Sequence, residues 1–227
     1  STQQYMEKFA DAPNPGRAAC IAAMDDQVAR LRRELRRMDL AQNTILVFTS
    51  DNGSVSNDDT GGLEGKKGQI SEGGNRVVCL MEWPARLAKP ATIVTPASSM
   101  DWYPTFMAAA GVDGPKRPLD GVNLLPVVEA KQTERPPIHL WYIPRGNRQM
   151  VIDGKWRLTC DQGGGSAVLS REKSATEFES VEDDQVKRRL GESLAAWTAA
   201  VEPEMKRALA RTGKSLPSES ATKPAKG

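Results

Sequence analysis

The sequence is poor in the residues that build disulfide frameworks and metal clusters. Its 227 residues include three cysteines (Cys20, Cys79 and Cys160), far apart along the chain, and a single histidine, His139. This odd, dispersed set of cysteines disfavours both a disulfide-stapled fold and a cysteine-rich zinc site. No apolar run approaches the roughly 18 residues that a membrane helix needs, so no membrane span is expected.

An excess of charge of one sign is also lacking. The chain has 31 basic and 29 acidic residues, which leave a formal net charge of +2. Without a strong global field, no binding to nucleic acid or to an anionic membrane is expected. The N-terminus begins with Ser1 and carries no charged segment followed by an apolar one, so no secretion signal is visible. Residues 1–16 resemble the interior of a longer chain, and the sequence is interpreted as a fragment.

Hydropathy patterns predict an α/β fold in the first half of the chain. Apolar residues recur at steps of three and four from about Arg17 to Met38, which indicates an amphipathic helix. The runs TILVF (44–48) and VVCLM (77–81) predict two buried strands. Residues 54–75 between them are polar and glycine-rich, which predicts a long loop. Helix, strand, loop and strand in this order are typical of an open α/β sheet.

Shorter elements are predicted in the second half. The runs IHLWYI, RQMVID and WRLTC after Arg135 predict a small antiparallel sheet, with a hairpin turn at Asp153–Gly154. The GGGS run at 163–166 is expected to end this sheet, and apolar residues at helical spacing over 186–201 predict a helix. From about residue 212 the chain is rich in Lys, Ser, Pro and Ala, which is typical of disorder.

The loop after the first strand is the candidate site, because ligands of open α/β sheets bind beyond the carboxyl ends of strands. Asp51 and Asn52 follow that strand and offer a carboxylate and an amide carbonyl, hard oxygen ligands that suit Ca²⁺ or Mg²⁺. With Gly53 they equally suit a plain turn. Lys66 and Lys67 lie in a glycine-lined stretch, where an ammonium group can meet an oxyanion.

Other conspicuous side chains are assigned structural roles. Glu72 and Arg76 are expected to pair with each other and fix the loop. Asp101 is interpreted as the cap of a helix that runs through Ala110. His139 lies in a strand-like run outside the loop, so packing is favoured over catalysis. The three cysteines are interpreted as small apolar packing residues.

Taken together, these segments resemble the sulfatase family of the alkaline-phosphatase superfamily. The main matches are TILVFTSDNG (44–53), GKKG (65–68) and EGGNRV (72–77), which agree in residue type, order and spacing. Further matches are Met24-Asp25, Trp83-Pro84, Asp101-Trp102-Tyr103-Pro104-Thr105, Ala110-Gly111 and Leu119-Asp120-Gly121. The resemblance extends from about residue 5 to residue 158.

This resemblance implies an alkaline-phosphatase-like α/β sheet, of which the chain would hold the C-terminal part, followed by a small α+β subdomain with an antiparallel sheet. Residues 1–134 would come from the catalytic domain, residues 135–211 would form the subdomain, and residues 212–227 would be a disordered tail. The implied activity is hydrolysis of sulfate esters, with a sulfated small molecule or a sulfated glycan as substrate. A periplasmic or secreted location is also implied, and the oligomeric state is left open.

The resemblance also implies roles for the candidate site. Asp51 and Asn52 match two ligands of a single divalent cation, usually Ca²⁺. Lys67 matches a catalytic lysine that contacts the substrate sulfate, with Lys66 as a second candidate. The family's nucleophile is a formylglycine hydrate made from a C/S-x-P-x-R motif, and the nearest run here, SLPSE at 215–219, has Glu in place of Arg. The nucleophile is expected only in the missing N-terminal part, so this chain alone should hydrolyse no sulfate ester. Because two oxygen ligands are too few for a cation that takes six to eight, it should also bind Ca²⁺ only weakly.

Two alternatives stay open at this point. The first is a phosphonate or phosphate ester hydrolase of the same superfamily. Two-metal phosphatases of that superfamily commonly carry Asp-His where this sequence has Asp51-Asn52, so Asn52 favours the single-metal branch. The second is a non-catalytic remnant or interaction domain that keeps the fold without the chemistry.

Overall fold

The structure is a computed structural model that describes residues 2–142, 147–161 and 166–213. The chain divides into two compact units. One comprises residues 1–48 and 79–90, and the other comprises residues 49–78 and 91–227. Most of the GGGS run, the SLPSE run and nearly all of the predicted disordered tail lie outside the described residues.

The first unit contains two helices and a two-stranded sheet. Helix α1 spans Thr2–Lys8, and helix α2 spans Pro15–Arg37, which confirms the predicted amphipathic helix. The side chain of Asn14 accepts a hydrogen bond from the backbone of the first turn of α2, where a proline also costs nothing. Strands β1 (Leu46–Thr49) and β2 (Cys79–Glu82) form the sheet.

The prediction that these two strands are buried is wrong. Every residue of β1 and β2 keeps at least part of its surface exposed, and Leu80 is 61% exposed. Two strands alone cannot cover both of their own faces. The apolar and β-branched residues of these runs therefore predict the strand conformation correctly. Burial of the strands would need neighbouring elements that cover their faces.

The second unit starts with the glycine-rich loop. A 3₁₀ turn at Asn57–Asp59 and a one-turn helix α3 (Glu72–Asn75) interrupt what the sequence predicts as a continuous loop. Helix α4 (Trp102–Ala110) ends at Gly111, whose φ of 66° suits glycine and confirms the predicted stop. Helix α5 (Leu125–Val128) anchors the following segment through the buried side chains at both its first and third positions.

A five-stranded antiparallel sheet follows, with its strands in chain order. The strands are β3 (Ile138–Tyr142), β4 (Arg148–Asp153), β5 (Trp156–Asp161), β6 (Ala167–Glu172) and β7 (Phe178–Ser180). The first three strands and the hairpin between β4 and β5 agree with the sequence prediction. The last two strands lie in a charge-rich run that the sequence reading does not identify.

The long helix α6 (Asp184–Arg211) covers this sheet and confirms the predicted C-terminal helix. Asp183 caps it by accepting a hydrogen bond from the backbone of Val186 at 3.0 Å. The core between helix and sheet is almost fully buried and consists of Val151, Leu158, Leu169, Leu190 and Leu194. Burial of each such side chain contributes roughly 1.5–3 kcal/mol, so this core fixes the position of the sheet.

Two further expectations concern cysteines and membranes. Cys20 and Cys79 are exposed, so the interpretation of these two as packing residues is wrong, and none of the three cysteines forms a disulfide with another. Cys160 is half-buried beside the core of the antiparallel sheet. In the part of the chain that the structure describes, none of the helices has the length and apolar composition to cross a bilayer.

Candidate functional site

The candidate site begins where β1 ends. Asp51 is exposed and Asn52 is half-buried, directly after the strand. The turn that carries them is held by two hydroxyl groups. Thr49 Oγ1 donates to the carbonyl of Val78 at 3.0 Å, and Ser50 Oγ donates to the carbonyl of Asn52 at 2.9 Å. The backbone at this strand end is therefore fixed from both sides.

Close backbone contacts between glycines join this turn to α3. The Gly53 N–H donates to the carbonyl of Gly74 at 2.9 Å, and a Cβ on Gly53 would lie 1.8 Å from the carbonyl oxygen of Gly73. A Cβ on Gly73 would lie 2.1 Å from the carbonyl oxygen of Gly65. Any larger residue would push these backbones apart. Close packing therefore explains why glycine occupies these positions in both motifs.

Lys67 reaches the same region through its backbone. Its N–H donates to the carbonyl of Ser54 at 2.7 Å, two residues beyond Asn52. The preceding Lys66 N–H donates to the side-chain oxygen of Gln69 at 2.8 Å. Both lysine side chains are exposed. The structure thus brings the backbone of Lys67 next to the turn after β1, as the loop's motif spacing suggests.

An open cavity of about 480 Å³ lies beside this turn. Asn52, Ser54, Thr60 and Arg76 are among the polar residues that line it. Asp51 and Lys67 do not line it. Of the three sequence-predicted site residues, the structure therefore places only Asn52 in the wall of this cavity.

Ion pairs tie the loop to the antiparallel sheet. Glu72 Oε1 lies 3.3 Å from Arg157 Nε on β5, and Arg76 Nη1 lies 3.0 Å from Glu172 Oε1 on β6. The prediction that Glu72 and Arg76 pair with each other is wrong. Both carboxylate–guanidinium pairs instead join residues far apart in the sequence, and no local pattern indicates such partners.

Arg157 is the most buried member of this network, with only 5% of its surface exposed. Its Nη1 donates to the carbonyls of Gly154 and Trp156 at 2.9 and 3.1 Å. Its guanidinium carbon lies 5.3 Å from the centre of the Phe178 ring. Burial lowers the pKa of Arg157, and the nearby carboxylates oppose that shift, so the group stays a cation.

The candidate metal ligands are available but few. Among the described residues, no group of three or more His, Cys, Asp and Glu side chains could hold a metal ion. Within the same residues, the polar side-chain atoms of Asp51, Asn52 and Lys67 make no hydrogen bond or ion pair. Two hard oxygens and one ammonium group are therefore open to a ligand, which fits a partial site for a cation and an anion.

Asp101 has a different role from the one predicted. Its side chain does not cap α4. It is fully buried, accepts hydrogen bonds from the backbone of Ser98 at 2.7 Å and of Val122 at 2.8 Å, and pairs with Arg135. Arg135 Nη2 donates to its second oxygen at 3.1 Å. Asp101 thus fastens three separate segments of the second unit.

His139 packs against α6, away from the loop. Its ring stacks on Trp197 with 5.3 Å between ring centroids, and its Nε2 lies 2.9 Å from Ser193 Oγ. Trp197 Nε1 in turn donates to Asp120 at 2.7 Å. Burial lowers the pKa of His139, and the negative charge of Asp120 partly opposes this. These contacts are those of the structural residue that the sequence predicts.

Comparisons with known proteins agree with the motifs. The sulfatase family model matches residues 2–112. An uncharacterized sulfatase, YdeN of Escherichia coli strain K12, is 36% identical over 129 residues, which cover 55% of this chain and 23% of that protein. The steryl-sulfatase of Mus musculus is 33% identical over 145 residues, which cover 56% of this chain and 23% of that protein. The chain spans about a quarter of the length of these relatives.

The fold is similar to that of a solved crystal structure. The crystal structure of Ps i-CgsB in complex with k-i-k-neocarrahexaose matches with a TM-score of 0.75 and 26% identity, over 86% of this chain and 46% of that one. The chain is thus an alkaline-phosphatase-like α/β structure with an antiparallel sheet, as predicted. Within that class, residues 2–112 match the sulfatase family model, which confirms the resemblance drawn from the motifs.

Proposed function

We propose that this chain is part of an enzyme that hydrolyses sulfate esters, to which it contributes metal and sulfate ligands. One observation carries the proposal. The backbone bonds from Gly53 to Gly74 and from Lys67 to Ser54 gather the three sulfatase motifs around the end of β1. Because the chain spans only about a quarter of its curated relatives, the activity is proposed for the complete protein.

Asp51 and Asn52 are proposed to ligate one divalent cation, Ca²⁺ or Mg²⁺. Their carboxylate and amide oxygens suit such hard cations, and neither group has another partner in the described residues. When bound, the cation would act as a Lewis acid that stabilises negative charge on the sulfate oxygens. Two donors fall short of the six to eight that Ca²⁺ takes, so other parts of the complete protein must supply the rest.

Lys67 is proposed to hold a sulfate oxygen. Its exposed ammonium group forms no ion pair within the described residues, and its backbone is held at Ser54. A cation that contacts the transferring group would stabilise charge that develops in the transition state. Lys66 is the second candidate for this role.

The substrate is proposed to be a sulfated small molecule or a sulfated glycan. The relatives point in both directions, because one is a steryl-sulfatase and one was solved with a neocarrahexaose. A cavity of about 480 Å³ beside Asn52 lies within the size range of small-molecule sites. Its wall combines polar residues such as Asn52 and Thr60 with apolar ones such as Leu63 and Val78, which suits a ligand with both polar and apolar parts.

The test is turnover by the complete protein, expressed from the extended coding sequence. Lys67→Ala is expected to lower kcat/KM for an aryl sulfate by roughly 10²–10³-fold, the usual effect of removing one transition-state contact. Lys131→Ala is the matched control, because Lys131 is an exposed lysine paired with Glu129. Unchanged turnover in Lys67→Ala would contradict the assignment. Faster turnover of a phosphonate monoester than of the sulfate would favour the other branch of the superfamily.

A further inference from the structure

We propose that Arg157 is a positioning residue, which holds the glycine-rich loop of the candidate site from the antiparallel sheet. The identity of what the site binds rests on the function proposed above. The positioning itself concerns only contacts within one compact unit, since the loop and the sheet both belong to the second unit.

The anchor of this arrangement is a buried charge on a rigid element. Arg157 lies on β5, the third of five strands, and pairs with Ile152 on one side and Ser170 on the other. Two carbonyl oxygens from its own hairpin fix one nitrogen of its guanidinium. Side chains on regular elements hold their partners more accurately than side chains on loops do.

The buried guanidinium depends on the loop for its compensating charge. Arg157 Nε is buried and makes no hydrogen bond within the described residues, and its charge is compensated by Glu72 Oε1, which lies 3.3 Å away as an ion pair, and by Glu172, which lies 3.8 Å from Arg157 Nη2. A buried cation without a carboxylate neighbour is strongly unfavourable. The sheet and the loop are therefore coupled, because Glu72 is the main partner that the loop supplies.

Glu72 passes this restraint directly to the strand end. It is the first residue of α3, and the next two residues, Gly73 and Gly74, contact Gly53 with no space for even a methyl group. Closely packed backbones cannot slide past each other without clashes. A shift of Glu72 must therefore displace Gly53 and its neighbour Asn52.

A second arm of the network reaches the cavity wall. Glu172 lies between two guanidinium groups, at 3.8 Å from Arg157 and 3.0 Å from Arg76. Arg76 lines the same cavity as Asn52. Arg157 thus sets the positions of two cavity residues, one through α3 and one through Glu172.

Amide hydrogen exchange on the chain measures this positioning without any activity. In Arg157→Met, the amides of Gly53, Lys67 and Gly73, whose acceptors lie within the loop, are expected to exchange at least about tenfold faster. Amides of the β4–β5 ladder and of α6 are expected to keep their protection. Arg148→Met is the matched control, because Arg148 forms an exposed pair with Asp161 on the same sheet.

Two further variants make the result decisive if Arg157→Met folds poorly. Arg157→Lys keeps the positive charge but loses the planar guanidinium group with its several N–H donors. Glu72→Gln keeps the side-chain shape but loses the negative charge. Each variant should therefore accelerate amide exchange in the loop less than Arg157→Met does. Unchanged loop exchange, or equal acceleration throughout the unit, would overturn the proposal. Calcium titration of the unmodified complete protein is a separate experiment, which tests the proposed function and not the positioning role. Failure there would count against the proposed function, while the exchange result would still decide the positioning role.

Discussion

Asp101 shows how a single buried carboxylate can join several separate segments of the chain. Both of its oxygens are engaged, by backbone N–H groups of Ser98 and Val122 and by the guanidinium of Arg135. A carboxylate that accepts this many bonds offsets the cost of its own burial. The adjacent Gly121 contributes to the fit, because a Cβ there would lie 2.0 Å from the carbonyl oxygen of Met100.

Asp101→Asn is therefore expected to destabilise the chain by about 3–5 kcal/mol, the usual cost of breaking a buried pair. The amide would leave Arg135, whose side chain is only 4% exposed, without a counter-charge. Urea unfolding of the two proteins measures the difference. Asp161→Asn provides the comparison, since it removes an exposed pair with Arg148 and should cost less than about 1 kcal/mol. Equal effects of the two changes would show that the buried pair contributes little.

For single residues, the sequence alone identifies candidates that stand in a short recognisable motif. Asp51, Asn52 and Lys67 stand in short motifs with fixed spacing, so they can be named as candidate ligands without a structure. Arg157 and Arg135 cannot, because their carboxylate partners lie far away along the chain and an isolated arginine carries no sign of burial. The same limit explains the wrong pairing of Glu72, whose nearest cation in sequence is not its cation in space.

Among the elements, β3 and α6 meet through the chain's single histidine. His139 stacks on Trp197 and contacts Ser193, and both partners belong to α6. Burial lowers the pKa of this imidazole below the ordinary value of 6.5, which favours its neutral form. Docking of the helix is therefore linked to the protonation state of one strand residue.

The stability of the chain is expected to fall as the pH drops below about 6.5. The unfolded chain then binds a proton at the imidazole, while the folded chain, with its lowered His139 pKa, resists protonation. Above that pH both states are neutral at this position, and no stability is lost. Thermal unfolding midpoints at pH 7.5 and pH 5 measure the effect. His139→Gln should lose less stability over this interval than the unmodified chain, and a larger loss in the variant would contradict the sign.

The spacing of apolar residues predicts those elements that have one apolar face and one polar face. Helices α2 and α6 follow from such patterns, and strands β3 to β5 follow from strand-like runs and a turn signal between them. Strands β6 and β7 do not, because their charges pair across the strands, as Arg171 does with Glu179 at 2.6 Å, and the run appears merely polar in the sequence. Cross-strand pairing of this kind stabilises a charged run as a strand pair, and it becomes visible only once the partner strand is placed beside it.

Viewed as a whole, the chain places its candidate site and its antiparallel sheet in the same compact unit. The residues of the loop at 49–78 group with residues 91–227, although the other unit lies between them in sequence. The sheet is thus a support for the loop through Arg157 and Glu172, besides being a module with its own core. The segment boundary between residues 134 and 135 stays a prediction from the sequence.

We expect this chain alone to form only a partial cation site and therefore to bind calcium weakly. Asp51 and Asn52 supply two oxygen donors where Ca²⁺ takes six to eight, so the dissociation constant of the isolated chain is expected to be on the order of 10⁻³ M or weaker. Isothermal titration with CaCl₂ measures it. Asp51→Asn should abolish the remaining heat of calcium binding, whereas Asp113→Asn, a change at another exposed carboxylate of the same unit, should not.

The isolated chain should also give no turnover of an aryl sulfate, because its sequence provides no C/S-x-P-x-R motif. Micromolar calcium affinity or measurable turnover would mean that the chain holds ligands and a nucleophile beyond those assigned to it.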